Sequence, residues 1–351
     1  MLRCIKQKRD APLDSCGVQM PGWRHGPRNC CIARAPVLEL PWNCGRNIVV
    51  TSLHWLPEVK DWRERLRALS ADSERAWTNA VGLANARLDF VRTNGLDEAL
   101  RRTIGADPPG GLAARPVRLA ILGSSTFAHL HPSLRIAGVR RNMHVTVYEN
   151  DYGQYWQELF DVGSALHAFK PTVVLLALDA QHLAAGVSAA MDADAVAAEL
   201  QDVTERVRAC WQMIRDAFGC QILFQMPLPV HPPLLGANEH RLPGSHAAFI
   251  ARLGEALRPM ADAAGVDLLA LDARAALDGL AAWHDPALWH RAKQEVSPAA
   301  APMYGELVLR LIAARLGRSA KCLVLDLDNT LWGGVIGDDG LDGIVLGQGS
   351  A

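Results

Sequence analysis

The sequence predicts an α/β protein whose main domain is a three-layer α/β/α sandwich built on a parallel sheet. Three observations predict it. Five near-continuous apolar runs of strand length occur at VRLAIL (117–122), HVTVY (144–148), VVLLAL (173–178), QILFQM (221–226) and VDLLAL (266–271). Segments long enough for helices separate them, the clearest being the Ala-rich DADAVAAELQDVTERVRACWQMIRDAF at 192–218. Small and polar residues follow most of the runs directly. Strands apolar on both faces and alternating with helices mark a parallel sheet covered on both sides.

Residues 1–50 read as an extension without helical or strand periodicity, rich in Cys, Pro, Gly and Arg, with eight Lys/Arg against three acids up to position 48. Over 51–111 the pattern changes. Trp62, Leu66 and Leu69, then Trp77, Val81, Ala84, Leu88 and Val91, recur at mostly three- and four-residue steps, which predicts amphipathic helices ending near Gly105. The stretch GADPPGGLAARP (105–116) breaks any helix and reads as a loop or linker. The α/β domain then occupies 112–316, and a short third segment, 317–351, follows it.

Composition narrows the function classes. Half of the 351 residues are hydrophobic, enough for ordinary cores in about two domains. With 36 basic and 37 acidic side chains, net charge is -1, and no global field draws nucleic acid or an anionic membrane. No apolar run approaches the roughly 20 residues that span a bilayer, and no apolar segment follows the early basic residues as in a secretory signal. A cytoplasmic protein is expected. The eight cysteines include no C-x-x-C pair and suggest free thiols. Cys16, His25, Cys30 and Cys44 do not have the spacing of a common zinc site.

In an open parallel sheet, ligands sit beyond the carboxyl ends of the strands, where loops and helix N-termini converge. The residues placed there include Gly123, Ser124, Ser125 and Thr126, then Asn150 and Asp151, Asp179 and His182, and Asp272 and Arg274. Such residues also cap helices. The stretch LAILGSSTF (119–127) leaves a strand through hydroxyl residues, suited to a serine nucleophile or an anion cradle. This resembles the SGNH (GDSL-type) hydrolases, on an SGNH- or flavodoxin-like fold. Gly123 and Ser125 match the Gly and Ser of the family's G-D-S block, with Ser124 at the Asp position. The family's late D-x-x-H is replaced by Asp285 and His290, five residues apart. DAQH (179–182) has the right spacing, but follows the third strand, where the family places an oxyanion-stabilising Asn. One reading of the domain is therefore a serine esterase or acyl hydrolase using Ser125, with His290 or His182 as base. The other is a binding domain that positions a carrier protein or an acyl chain.

The last segment begins with KCLVLDLDNTLWGGVIGDDG (321–340). Its apolar run ends on Asp326, and Asp328 lies two residues on, so an extended backbone could send both carboxylates to one side. Paired carboxylates suit Mg²⁺, and a carboxylate can attack phosphorus while a neighbouring acid handles the leaving group's proton. GGVIGDDGLDGIVLG (333–347) suits a hairpin over such a site. The string VLDLDNTLWGGVIGDDGLDGI resembles motif I of the HAD phosphatase superfamily, specifically its FkbH-like, HAD-IIIC branch. NDYGQYWQELFD and SPAAAPMYGELVLRLIAARLGRSA upstream are also similar to that branch, whose long members carry an SGNH-like domain in front.

The resemblance implies Asp326 as nucleophile, Asp328 as general acid/base, both as Mg²⁺ ligands, and Thr330 as the motif's threonine. It implies partners in an acyl carrier protein and a phosphorylated small molecule such as 1,3-bisphosphoglycerate, in polyketide-type biosynthesis. It also implies a second-motif Ser/Thr, a phosphate-binding Lys and a late acidic pair. Nothing after Ala351 supplies them, and Lys170 and Lys293 lie in the front domain. The expectation is the front part of a phosphatase/acyl transferase, inactive in phosphoryl transfer as it stands, with 317–351 the first strand and flap of an incomplete, Rossmann-like HAD domain.

Overall fold

A computed structural model of the chain describes residues 52–71, 75–105, 114–319 and 322–346. The extension at 1–50, with its cysteine and histidine arrangement, and most of the 105–116 loop lie outside the described residues.

Three helices come first: α1 (Trp62–Ala71), α2 (Ala76–Ala84) and α3 (Phe90–Ile104). Asp89 caps α3 by accepting a hydrogen bond from Arg92 N at 2.7 Å. The α/β domain then runs β1 (Arg115–Gly123), α4 (His131–Arg140), β2 (Met143–Glu149), α5 (Tyr155–Phe160), α6 (Ala165–Phe169), β3 (Val173–Ala177), α7 (Ala180–Leu183) and α8 (Ala193–Phe218). It continues through β4 (Gln221–Gln225), α9 (His246–Ala264), β5 (Asp267–Leu269), α10 (Leu271–Asp278), α11 (Leu280–Trp283), α12 (Pro286–Ala292) and α13 (Ala301–Arg315). All five expected strands form, and all their pairings are parallel in the order β2-β1-β3-β4-β5, the flavodoxin-like doubly wound arrangement.

The two-residue period of the strands divides the core into two layers. Val117, Leu119, Ile121, Val173, Leu175 and Leu223 face α4 and α13, with Tyr304, Leu309 and Trp283. Ala120, Leu122, Val174, Leu176, Ile222 and Phe224 face α8 and α9, with Trp211, Ile214 and Phe249. A third cluster joins α1–α3 to Ile136 and Val139 of α4, so the helical segment is an outer layer on that helix. Among the described residues, no helix is long and apolar enough to cross a membrane.

Helices α4 and α13 meet at glycine distance. A Cβ on Gly305 would stand 2.4 Å from the carbonyl oxygen of Ser133, a backbone atom that cannot swing aside. Gly305→Ala is expected to lower unfolding free energy by about 1–3 kcal/mol, the usual cost of overpacking. Urea titration at neutral pH checks this, and an unchanged midpoint would show that the helices can separate freely.

The terminal segment departs from expectation. Residues 322–327 form no strand, and the apolar run is exposed, with Leu323 at 79% and Val324 at 87%. A strand needs a neighbour to satisfy its backbone and bury its face, and among the described residues none pairs with this run. The expected hairpin does not form among the described residues either. One antiparallel bridge, Gly333 to Val345, brackets a short helix, α14 (Ile336–Gly343).

Candidate functional site

The carboxyl ends of β1, β2 and β3 are tied together by the polar residues that follow them. Asn150, after β2, accepts from Gly123 N through Oδ1 at 2.7 Å and donates through Nδ2 to Gly123 O at 3.2 Å. Ser124 Oγ donates a short hydrogen bond to Asp179 Oδ2 and accepts from Asp179 N at 2.9 Å. Asp179 Oδ1 takes the His182 N–H at 2.9 Å and so caps α7. Gly123, Ser124, Asn150 and Asp179 thus saturate one another, and the last three are buried. Asp151 contributes its backbone carbonyl to Asn150 at 2.6 Å while its side chain lies in solvent.

The loop after β1 is zipped to the segment before α13. Thr126 N donates to Lys293 O at 2.9 Å, and His129 Nε2 lies 2.7 Å from Val296 O. Glu149, the last residue of β2, accepts from Phe127 N at 2.7 Å and sits 2.9 Å from His131 Nε2. Burial lowers the His129 pKa against the opposing pull of the Val296 carbonyl and Glu149.

This geometry does not assemble a serine hydrolase around Ser125. Its Oγ is enclosed and has no hydrogen-bond partner among the described residues, so it meets neither of the predicted bases. His182 points to Tyr155, whose hydroxyl is 2.8 Å from Nε2, and burial lowers its pKa. His290 is exposed on α12, and Asp285 is spent capping that helix through Ala287 N at 2.8 Å. The predicted bases are therefore placed elsewhere by helix capping and aromatic packing. Asp272 and Arg274 also stay outside the cluster, ion-paired with Arg258 and Asp278.

The buried chemistry that sequence reading missed lies beneath. Glu295, wholly buried, accepts from Gln225 Nε2 at 2.7 Å, and Gln225 in turn accepts from the Tyr304 hydroxyl at 2.8 Å. Burial, with the nearby charge of Asp179, pushes the Glu295 carboxyl up to about 8. A glutamine at the end of the apolar β4 run was the one available signal, since a buried amide demands a polar partner.

In the terminal segment Asp326 is exposed, and its Oδ1 accepts only from Leu327 N, at 2.9 Å. Asp328 Oδ1 takes Trp332 Nε1 at 3.0 Å and Ile336 N at 3.2 Å, which aims that carboxylate into the turn. Asn329, at φ 54°, accepts from Gly334 N at 3.0 Å and closes the turn, and Thr330 is exposed beside it. Mg²⁺ takes about six oxygen ligands. Asp326 and Asp328 supply two carboxylates, and among the described residues no group of three or more His, Cys, Asp or Glu could hold a metal. The residues described do not by themselves complete a Mg²⁺ site.

No protein-family model and no curated protein matches the chain. Among solved structures, it is similar to the N-terminal part of the protein BF1531 from Bacteroides fragilis, described as containing a phosphatase domain and complexed with Mg. The TM-score is 0.59 at 23% identity, over 68% of this chain. The chain spans 62% of the length of that fragment. A lipase/acylhydrolase from Enterococcus faecalis (13% identity, 57% of this chain, 96% of that one) and the acetyl xylan esterase AlAXEase (12%, 56% and 100%) align with TM-scores of 0.38 each.

Proposed function

We propose that this chain is the front part of a phosphoryl-transfer protein of the FkbH-like HAD type. In this reading the α/β domain has no hydrolytic site of its own, and Asp326 is the nucleophile of a domain completed by further motifs. The observation that carries it is the D-x-D-x-T turn at 326–330, directly behind a finished α/β domain. There one carboxylate is exposed and accepts from the adjacent Leu327 N, and the other is oriented by two N–H donors. The likeness to the Bacteroides fragilis fragment, with its stated phosphatase domain and Mg, supports this reading.

The chemistry assigned to this chain's own residues is compact. The Asp326 carboxylate attacks phosphorus and the leaving oxygen departs, forming an aspartyl-phosphate. Asp328 handles the proton of the leaving group and then that of the attacking water. Trp332 and the Ile336 amide hold Asp328 in place for both steps. Mg²⁺, an acyl carrier protein and a phosphorylated substrate such as 1,3-bisphosphoglycerate complete the proposal as its cofactor and partners.

A version carrying the remaining HAD motifs is expected to release phosphate in the presence of Mg²⁺, and its Asp326→Asn form to release none. Mass spectrometry of the acid-quenched enzyme should find the phosphoryl group on Asp326. Turnover that survives the substitution removes Asp326 from the mechanism.

A further inference from the structure

The opposite end of the sheet, at the amino ends of the strands, carries a second feature that the phosphoryl-transfer reading does not use. A groove of about 650 Å³ is lined there by the first residues of β1, β3, β4 and β5, and by Arg115, Arg215 and Arg315. A neighbouring hollow of about 580 Å³ shares Thr172, Gly219 and Cys220 with it and adds Arg118 and Lys170. Against these five cations the two hollows contain one acid, Asp267, already engaged at 2.8 Å by Gln221 Nε2.

Arginines at this end of an α/β sheet have an ordinary explanation, because helix C-termini gather there and cations satisfy their carbonyls. Arg215 does so, donating through Nη2 to Ala264 O at the end of α9. Arg118 does so through Nε to Lys170 O at 2.6 Å. Each uses one of five N–H donors. Arg115 is different: it opens a strand, and neither it nor Arg315 has a side-chain hydrogen bond or ion pair with any described residue. Both are exposed at the groove. Burial pushes the Cys220 thiol in the floor up to about 11, so the floor adds no negative charge at neutral pH.

We propose that this groove binds a small organic phosphate, its anionic groups held by Arg115, Arg215 and Arg315 and its body resting on Pro116 and Leu316. The planar guanidinium fork matches phosphate oxygens two at a time. The volume lies within the roughly 300–1,000 Å³ of small-molecule pockets.

Calorimetric titration of the 351-residue chain with pyrophosphate, at constant ionic strength, tests this. Saturable one-to-one binding is expected. Arg115→Ala and Arg315→Ala should each weaken it by about 10-fold, as expected for loss of a charge-assisted contact. Arg241→Ala, an equal loss of charge at an exposed site elsewhere, should leave it unchanged, as should Asp326→Asn, which separates this site from the phosphoryl-transfer one. Absence of saturable heat overturns the proposal, as does affinity indifferent to both groove arginines. A single-stranded oligonucleotide that binds more tightly through the same arginines would also overturn it, by assigning the groove to nucleic acid.

Discussion

Glu306→Gln is expected to cost about 3–5 kcal/mol of unfolding free energy, because it strands two largely enclosed cations, Arg140 and Arg141. Glu306, on α13, has a side chain only 3% exposed and takes hydrogen bonds from Arg140, Arg141 and Arg310. Arg140 is itself 8% exposed and also donates through Nε to Ala84 O at 2.8 Å, which links α13 through α4 to α2. Burial alone would raise the Glu306 carboxyl, but the hydrogen bonds and charges of Arg141 and Arg140 hold it down to about 2. A depressed carboxylate stabilises the fold above the ordinary range near 4.5, and that contribution is lost as pH falls towards 2. Denaturant titrations from pH 6 down to pH 3 should show this slope in the parent and not in the variant. Arg310→Ala, which removes a half-exposed partner, should cost under about 1 kcal/mol. A loss at Glu306 as small as that would mean that the cluster does not hold the helices together.

Glu295 should act with the opposite sign. Its carboxyl is raised to about 8, so the folded chain keeps a proton that the unfolded chain releases near 4.5. Stability is therefore expected to fall as pH rises from about 5 to about 8, by on the order of 4 kcal/mol. Glu295→Gln should abolish this decline and be more stable than the parent at pH 8.5, since the amide can still accept from Gln225 and carries no charge toward Asp179. Unfolding midpoints at pH 5.5 and 8.5 decide the matter. Parallel decline of parent and variant would place the responsible proton elsewhere. With Glu306 and Glu295 together, the parent chain should be most stable near pH 5.

How far the sequence reached can be judged residue by residue. The strands were legible because each apolar run satisfies both faces of a buried parallel strand, and the structure places all five where the runs lie. The long helix at 193–218 was legible from its Ala-rich composition, and the structure adds the Asp192 cap on Ala195 N. The rule that loops converge beyond the strand ends groups Gly123, Ser124 and Asp179 as a candidate crevice. Their roles there were not legible. Ser124 and Asp179 bond to each other across 55 residues, and the Ser125 hydroxyl, next in sequence, is enclosed. The segment 322–326 was misread as a strand because its apolar pattern describes a preference that only a neighbouring strand can realise.

The sequence by itself determined the sheet, its two apolar faces and the helical segment in front, because these depend on residue spacing over a few positions. Only the tertiary structure decided which polar groups meet. Gln225 reaches Glu295 across 70 residues, Glu306 reaches Arg140 across 166, and the groove arginines arrive from separate strand and helix ends. The physical reason is one of range: periodicity records which face of an element is buried, while hydrogen bonding and charge act between elements whose meeting no local spacing encodes.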